Sequence, residues 1–440
     1  MSVTPEHSEL KRILTPAMVW GLGVGYVISG NYFGWNLGLQ AGGTLGLATA
    51  VVFVIVMYVT FTYSYAELAC AIPKAGGAFD YAHRALGERM GFLAGMAQNI
   101  EFIFAPPAIA LAIGSYLNLF FPSISALLFS VGAYLLFTAL NIYGVKLAAM
   151  IELGVTAIAV AGLIIFSTTA LPRVTIQNLS QNALPFGVSG IFAAIPFAIW
   201  FFLGIEGIAN LAEETIHPKR TMSRGFLAAL FTLIALCLLT FTGAVGVGGW
   251  ERVVMNADGT TSDAPLPMAL NVIQGSEGWS YRFLVIFGLF GLVASFHGLM
   301  LAAGRSSFEF GKVNFPKSWI GRIHPRFQTP ANALLLNAAI GMVALFTGRT
   351  GEIITLSVFG ALTLYAVSMI AVMALRRSQP DLPRPFLTPF YPVFPIIALS
   401  IAAVALAALT VYNFKVSLIF VLIIALCFGI FKVQKVRSNA

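Results

Sequence analysis

G-L-G-V-G-Y-V-I-S-G-N-Y-F-G runs from Gly21 to Gly34, and I-P-F-A-I-W-F-F-L-G-I-E-G runs from Ile195 to Gly207. Each lies inside an apolar stretch long enough to cross a bilayer, and each contains what such a helix ordinarily avoids. The first carries glycines at 21, 23, 25, 30 and 34; the second sets Pro196, Gly204 and Gly207 around the carboxylate of Glu206. Glycine weakens a helix by roughly 0.5–1 kcal/mol relative to alanine. A charge in mid-span costs about 2.5–3.5 kcal/mol on insertion scales. Both stretches therefore read as interrupted helices. Close packing through small residues also enriches glycine, so one such span alone has two readings; the pair decides.

Working outward, the 440 residues are 58% hydrophobic and only 10% charged, too little charge to cover a soluble protein of this size. A span needs about 20 apolar residues. Apolar runs at 16–42, 44–71, 91–121, 124–142, 147–170, 189–212, 225–248, 280–308, 331–347, 352–375, 392–412 and 416–434 predict twelve. Met1 to Leu14 is polar and carries Glu6 and Glu9, so no signal peptide is expected before the first run. With the N-terminus placed in the cytoplasm, 20 basic residues fall on the cytoplasmic side and 5 on the other, together all 25. One miscounted span would invert every later loop and blur that split, so an even span number with both termini inside is expected. The net charge of +8 is thus an effect of topology, and no nucleic-acid partner is inferred.

The interruptions fall in spans 1 and 6, equivalent positions of two five-helix units. That placement is the sign of an inverted-repeat carrier with its site at the breaks. The expected divisions are a cytoplasmic tail (1–15), a first repeat (16–170), an extracellular loop (171–188), a second repeat (189–376), and helices 11 and 12 with a tail (377–440). A channel would show a filter or pore ring, and none is visible. A zinc enzyme would cluster its histidines, but the five are scattered without an H-E-x-x-H pattern. Cys70, Cys237 and Cys427 lie in separate apolar runs, so neither disulfides nor a metal site are expected. No enzyme activity, cofactor or obligate protein partner is inferred; the expected partners are a small substrate and the lipid bilayer.

A-E-L-A-C-A-I-P-K-A-G-G-A-F-D-Y-A-H-R-A-L-G (Ala66–Gly87), F-L-G-I-E-G-I-A-N-L-A-E-E-T-I-H-P-K-R (Phe202–Arg220) and H-P-R-F-Q-T-P (His324–Pro330) resemble the signatures of the amino acid–polyamine–organocation transporters. V-I-S-G-N-Y-F-G-W-N (Val27–Asn36), E-F-I-F-A-P-P-A-I-A (Glu101–Ala110) and A-S-F-H-G (Ala294–Gly298) are most similar to the ethanolamine permeases among them. The resemblance implies an all-α polytopic membrane protein with a five-plus-five inverted repeat, helices 1 and 6 broken, and two extra C-terminal helices. It implies import of ethanolamine or a close amine across a bacterial inner membrane, with an amino-acid or polyamine permease as the alternative.

Glu101, alone in mid-span 3, needs a partner or a purpose. Pro106 and Pro107 donate no hydrogen bond, so the carbonyls of Phe102 and Ile103 lose their usual helical partners. A carboxylate beside spare carbonyls suits an ammonium group; the plainer alternative is a bond to a neighbouring helix. Glu206 lies where the family holds substrate against unwound backbone beside Gly204, and it also suits gating or proton binding. Ser29, Gly30 and Asn31 match the family's small-residue triplet, which binds a substrate carboxylate through bare N–H groups. Asn31 departs from that pattern, which favours an amino alcohol over an amino acid. Trp200, six residues before Glu206, matches the family's aromatic gate. His297, lone in span 8, is a candidate proton carrier or a structural hydrogen-bonder. Glu67, Glu213 and Glu214 sit near span ends and are expected to pair with basic residues as an inner gate. Glu152 reads as structural, reaching the interface or Lys146. Ala159 stands where several family members have a lysine proposed to replace a sodium ion, and span 8 offers Ser295 but no clear hydroxyl pair suited to sodium.

Overall fold

The computed structural model describes residues 12–144, 149–256, 258–315 and 318–439. Ten of its helices are long and apolar enough to cross a membrane. Two shorter apolar helices complete the set of spans, α1 (Pro16–Val27) and α13 (Ala331–Phe346). The first span continues past α1 through the single turn α2 (Ser29–Tyr32) into the start of α3 (Leu37–Ala71). It ends at Gly43, where φ of +67° turns the chain sharply within α3. A Cβ there would lie 2.5 Å from Pro185 Cδ, so only glycine fits the turn. The second span starts on its far side, as the apolar runs 16–42 and 44–71 predict.

After the short amphipathic α4 (Ala78–Leu86), spans 3 to 5 are α5 (Glu88–Asn118), α6 (Ala126–Tyr143) and α7 (Ala149–Ala170). The connector after α7 holds the five-residue α8 (Ile176–Ser180). Span 6 is α9 (Gly187–Trp200), a break at 201–204, and a 3₁₀ segment (Ile205–Glu214). Then come α10 (Pro218–Gly246), the short α11 (Pro265–Gln274), α12 (Trp279–Asn314), α13, α14 (Thr350–Ser378), α15 (Val393–Tyr412) and α16 (Phe414–Asn439). Spans 1–5 and 6–10 form the inverted repeat, with α15 and α16 added at its edge. Burial follows that plan: 78% of the apolar window of α5 is inside the protein, against 22% for α16. Leu418, Ile419, Val421, Leu422 and Leu426 of α16 are exposed, as lipid-facing side chains must be.

Candidate functional site

The break in span 1 is held open by neighbours that take over its backbone bonds. Gly34 has φ of +87°. Ser295 of α12 donates to the Gly25 carbonyl (2.5 Å) and accepts the Ser29 N–H (3.1 Å). Trp200 Nε1 donates to the Phe33 carbonyl (3.0 Å), and its ring meets the Phe33 ring edge-on at 5.5 Å. Gly30 lets the two broken spans touch: a Cβ there would fall 2.2 Å from the Trp200 carbonyl oxygen. In span 6 the chain turns at Gly204, with φ of +97°.

Just beyond that turn, Glu206 meets Glu101 from α5. Both are fully buried, and the two carboxyl groups act on each other, with the Gly204 backbone beside them. Tyr365 of α14 donates to Glu206 Oε2 (2.8 Å), and its oxygen lies 3.1 Å from that of Tyr58. Gly360 allows α14 to press on α5 at this level: a Cβ there would lie 2.8 Å from the Glu101 nitrogen. Ser357 takes the Glu101 carbonyl (2.8 Å). Neither Glu101 oxygen, nor Glu206 Oε1, has a hydrogen-bond partner among the described residues. The groups acting on the pair are each other, Gly204 and Tyr365, none of them basic. Two carboxylates this close in a dry interior cannot both stay charged without a cation between them. The site therefore has room in its chemistry for one positive charge.

Ser29, Gly30 and Asn31 form the buried turn α2, and both polar side-chain atoms of Asn31 lack partners among the described residues. Trp200 is buried against the span 1 break. His297 is buried on α12, its ring edge-on to Phe137 of α6. The remaining acids lie elsewhere. Glu67 receives two hydrogen bonds from Arg376 (2.8 and 2.6 Å) and one from the Thr388 N–H (2.8 Å), with Arg384 at 3.4 Å. That cluster ties α3 to α14 and to the segment after it. Glu213 accepts the Ala75 N–H (3.1 Å), and Glu214 pairs with Arg305 (3.0 Å). Both line a cavity of about 260 Å³ that also holds Glu309.

Glu152 differs from its expected place at the interface; Lys146 lies outside the described residues. The carboxyl is 6% exposed, and its Oε1 has no partner among the described residues. It points at two glycines: a Cβ on Gly298 would lie 3.5 Å from Oε1, and one on Gly25 would lie 4.0 Å away. The signal was a helical stripe: Glu152, Thr156, Ala159, Leu163 and Phe166 are all buried and follow one face of α7. The roles of Tyr58, Ser357 and Tyr365 carry no such signal, because an apolar span does not announce which helix it will face.

Solved and curated proteins frame this geometry. A manganese transporter of Eremococcus coleocola, solved with an aromatic bis-isothiourea compound, superposes with a TM-score of 0.60 over 99% of both chains at 14% identity. That likeness shows the fold alone. An uncharacterized transporter of Rhizobium meliloti is 28% identical over 91% of this chain and 87% of its own. The low-affinity putrescine importer of Escherichia coli K12 is 27% identical over 78% of this chain and 77% of its own. The family model described as amino acid permease matches residues 14–433. A doubly broken, multi-pass helical chain matched over nearly its whole length in this way belongs to the amino acid permease family of membrane transporters.

Proposed function

We propose that the protein imports a small monoamine by alternating access, and that ethanolamine is the best-fitting cargo. The observation that carries the reading is the convergence of Glu101 and Glu206 in a closed, uncompensated pair. An ammonium group supplies the one positive charge that such a pair accepts. A diamine would want two acidic sites held apart, and a zwitterion would bring a carboxylate into the same dry space. Asn31 supports an amino alcohol, since its unpartnered amide suits a hydroxyl and its side chain fills the place of a bare glycine. In this proposal Ser29, Gly30, Asn31, Glu101, Trp200, Gly204 and Glu206 contact or enclose the cargo. Glu213 with Glu214 and Arg305 closes the inner side, and His297 and Glu67 are supporting positions. The 20-to-5 distribution of basic residues supports both termini in the cytoplasm, and the proposed membrane is a bacterial inner membrane.

Glu101→Gln tests the reading directly. Removing one partner of a desolvated charge pair costs about 2–5 kcal/mol, roughly 30-fold or more in affinity. Ethanolamine uptake by proteoliposomes should lose at least that much affinity, while the protein still purifies folded. Unchanged affinity would overturn the assignment.

Sodium is not part of the proposed cycle. Ser295, the hydroxyl that span 8 offers, is committed to Gly25 and Ser29. An ammonium cargo is itself driven by a potential of 100 mV, worth about 2.3 kcal/mol per charge. In sodium-free vesicles with an imposed potassium diffusion potential, uptake should follow the potential and ignore added sodium. A strict sodium requirement would defeat this part, and alkalinisation outside during uptake would assign the coupling to protons.

A further inference from the structure

Where the first span begins, a cavity of about 690 Å³ is lined by charge of a single sign. Arg12, Lys219, Arg220 and Arg224 line it, with His217 beside them and no acidic residue among the lining. All four cations are exposed, and none forms an ion pair among the described residues. Like charges gathered around one hollow make it an attractive place for an anion.

Three further observations fit the hollow to a phosphate carried on a lipid. Its inner walls are apolar, made by Pro16, Pro73, Ile216 and Pro218. It lies at the starts of α1 and α10 and just past the end of α3, the level at which hydrocarbon gives way to headgroups. The first turns of α1 and α10 form part of the wall, and their positive ends favour an anion. His217, at the N-cap of α10, supplies no side-chain cap of its own.

The hollow also sits on the seam between the two broken spans. Ile13 and Leu14 donate their N–H groups to the Glu214 carbonyl (2.9 and 3.0 Å), and Ile216 donates to the Leu14 carbonyl (2.9 Å). Arg12 precedes one side of that seam and Lys219 follows the other.

We propose that this cavity binds the phosphate of an anionic phospholipid headgroup from the leaflet on the basic face, bridging the entry to span 1 and the exit from span 6. The shared chemistry is a phosphate anion, and a free phosphate is the other source the test separates. The site is independent of the cargo, so its test reads binding and not uptake.

Full-length protein in neutral detergent is titrated with short-chain phosphatidylglycerol, with short-chain phosphatidylcholine and with inorganic phosphate. Phosphatidylglycerol should bind saturably, and phosphatidylcholine at least about tenfold more weakly. Lys219→Gln/Arg220→Gln/Arg224→Gln should weaken phosphatidylglycerol about tenfold or more, and Arg12→Gln alone several-fold. Arg220→Lys, which keeps the charge, should stay near wild type, and it holds the test open if the triple variant fails to fold. Arg322→Gln/Arg326→Gln, on the same face but outside the cavity, should bind as wild type does. Displacement of phosphatidylglycerol by millimolar inorganic phosphate would assign the site to the phosphate itself; no displacement would assign it to the lipid. The proposal is overturned if the triple and Arg12 variants bind like wild type. It is equally overturned if the Arg322/Arg326 control loses as much affinity, because the effect then belongs to the diffuse charge of the face.

Discussion

On the sparsely charged side of the Glu101–Glu206 pair, Trp35 stacks on Phe201 at 5.5 Å and Trp200 seals against Phe33. Asn36 there donates to the carbonyls of Val253 and Ser262 (3.1 and 2.8 Å), pinning the loop between α10 and α11 onto the broken span. On the basic side, three backbone hydrogen bonds join residues 13–14 to 214–216, and Arg305 pairs with Glu214. The Arg305 and Glu214 side chains keep 27% and 19% exposure and face a cavity. One closure is made of buried rings and neutral hydrogen bonds, the other of a wet ion pair and a short backbone seam. Buried apolar area holds regardless of salt, whereas a partly exposed ion pair is worth about 0–1 kcal/mol and is screened. The difference teaches that the basic side is the weaker lid, the one expected to yield first in the proposed cycle.

The strongest way to break the comparison is Gly30→Ala. Its Cβ would meet the Trp200 carbonyl oxygen at 2.2 Å and the Phe201 Cα at 3.2 Å, and backbone cannot give way as a side-chain tip can. Overpacking costs about 1–3 kcal/mol, so uptake should fall about five- to a hundredfold through failure of the closure on the sparsely charged side. Wild-type uptake in this variant would mean the two spans need not touch.

A smaller effect comes from Asp263, which carries the loop after α10 into α11. It is half-buried, accepts the Thr350 hydroxyl at 3.0 Å, and its carboxyl is pushed up by desolvation to about 7. The folded protein thus keeps this proton over a range where the unfolded chain has lost it. Stability should therefore fall as pH rises from about 4 to about 7, then level off. Thermal unfolding at pH 5 and pH 7.5 should show the decline in wild type and a smaller one in Asp263→Asn. Equal declines in both would remove Asp263 from the pH response of this loop.

The least effect is expected from Arg305→Gln, at most about 1 kcal/mol, or fivefold. It should speed opening toward the basic side, and 1 M salt should mimic it in wild type while leaving the variant unmoved. A larger, salt-independent loss would show that the basic-side lid is not the weak one.

The spans are legible because lipid tolerates so few solutions for the backbone: twenty apolar residues have to be a helix. The breaks are legible too, since glycines and a mid-span acid have no place in an ordinary span, and the turn at Gly43 falls between the two apolar runs. Partnerships are not legible. Glu67 is next to an apolar span end, and nothing local announces Arg376 or Arg384. Tyr365 and Ser357 are two polar residues among many, and only the approach of α14 to α5 at Gly360 gives them their tasks. Glu152 was misplaced for the opposite reason: a nearby lysine suggested a local pair, while the buried stripe on α7 turned the carboxyl inward.

The Glu67 cluster also sets an order of assembly. Glu67 belongs to the second span made, and its counter-ion Arg376 follows 309 residues later, in the tenth. At synthesis rates of about 5–20 residues per second, that carboxyl waits roughly 15–60 s for its guanidinium. During this interval span 2 holds an acid it cannot bury charged, and it is not yet locked to the helix that will cover it. The first repeat therefore completes its own packing only when the second is nearly finished, and a chain stopped before span 10 lacks the last bolt of its first half.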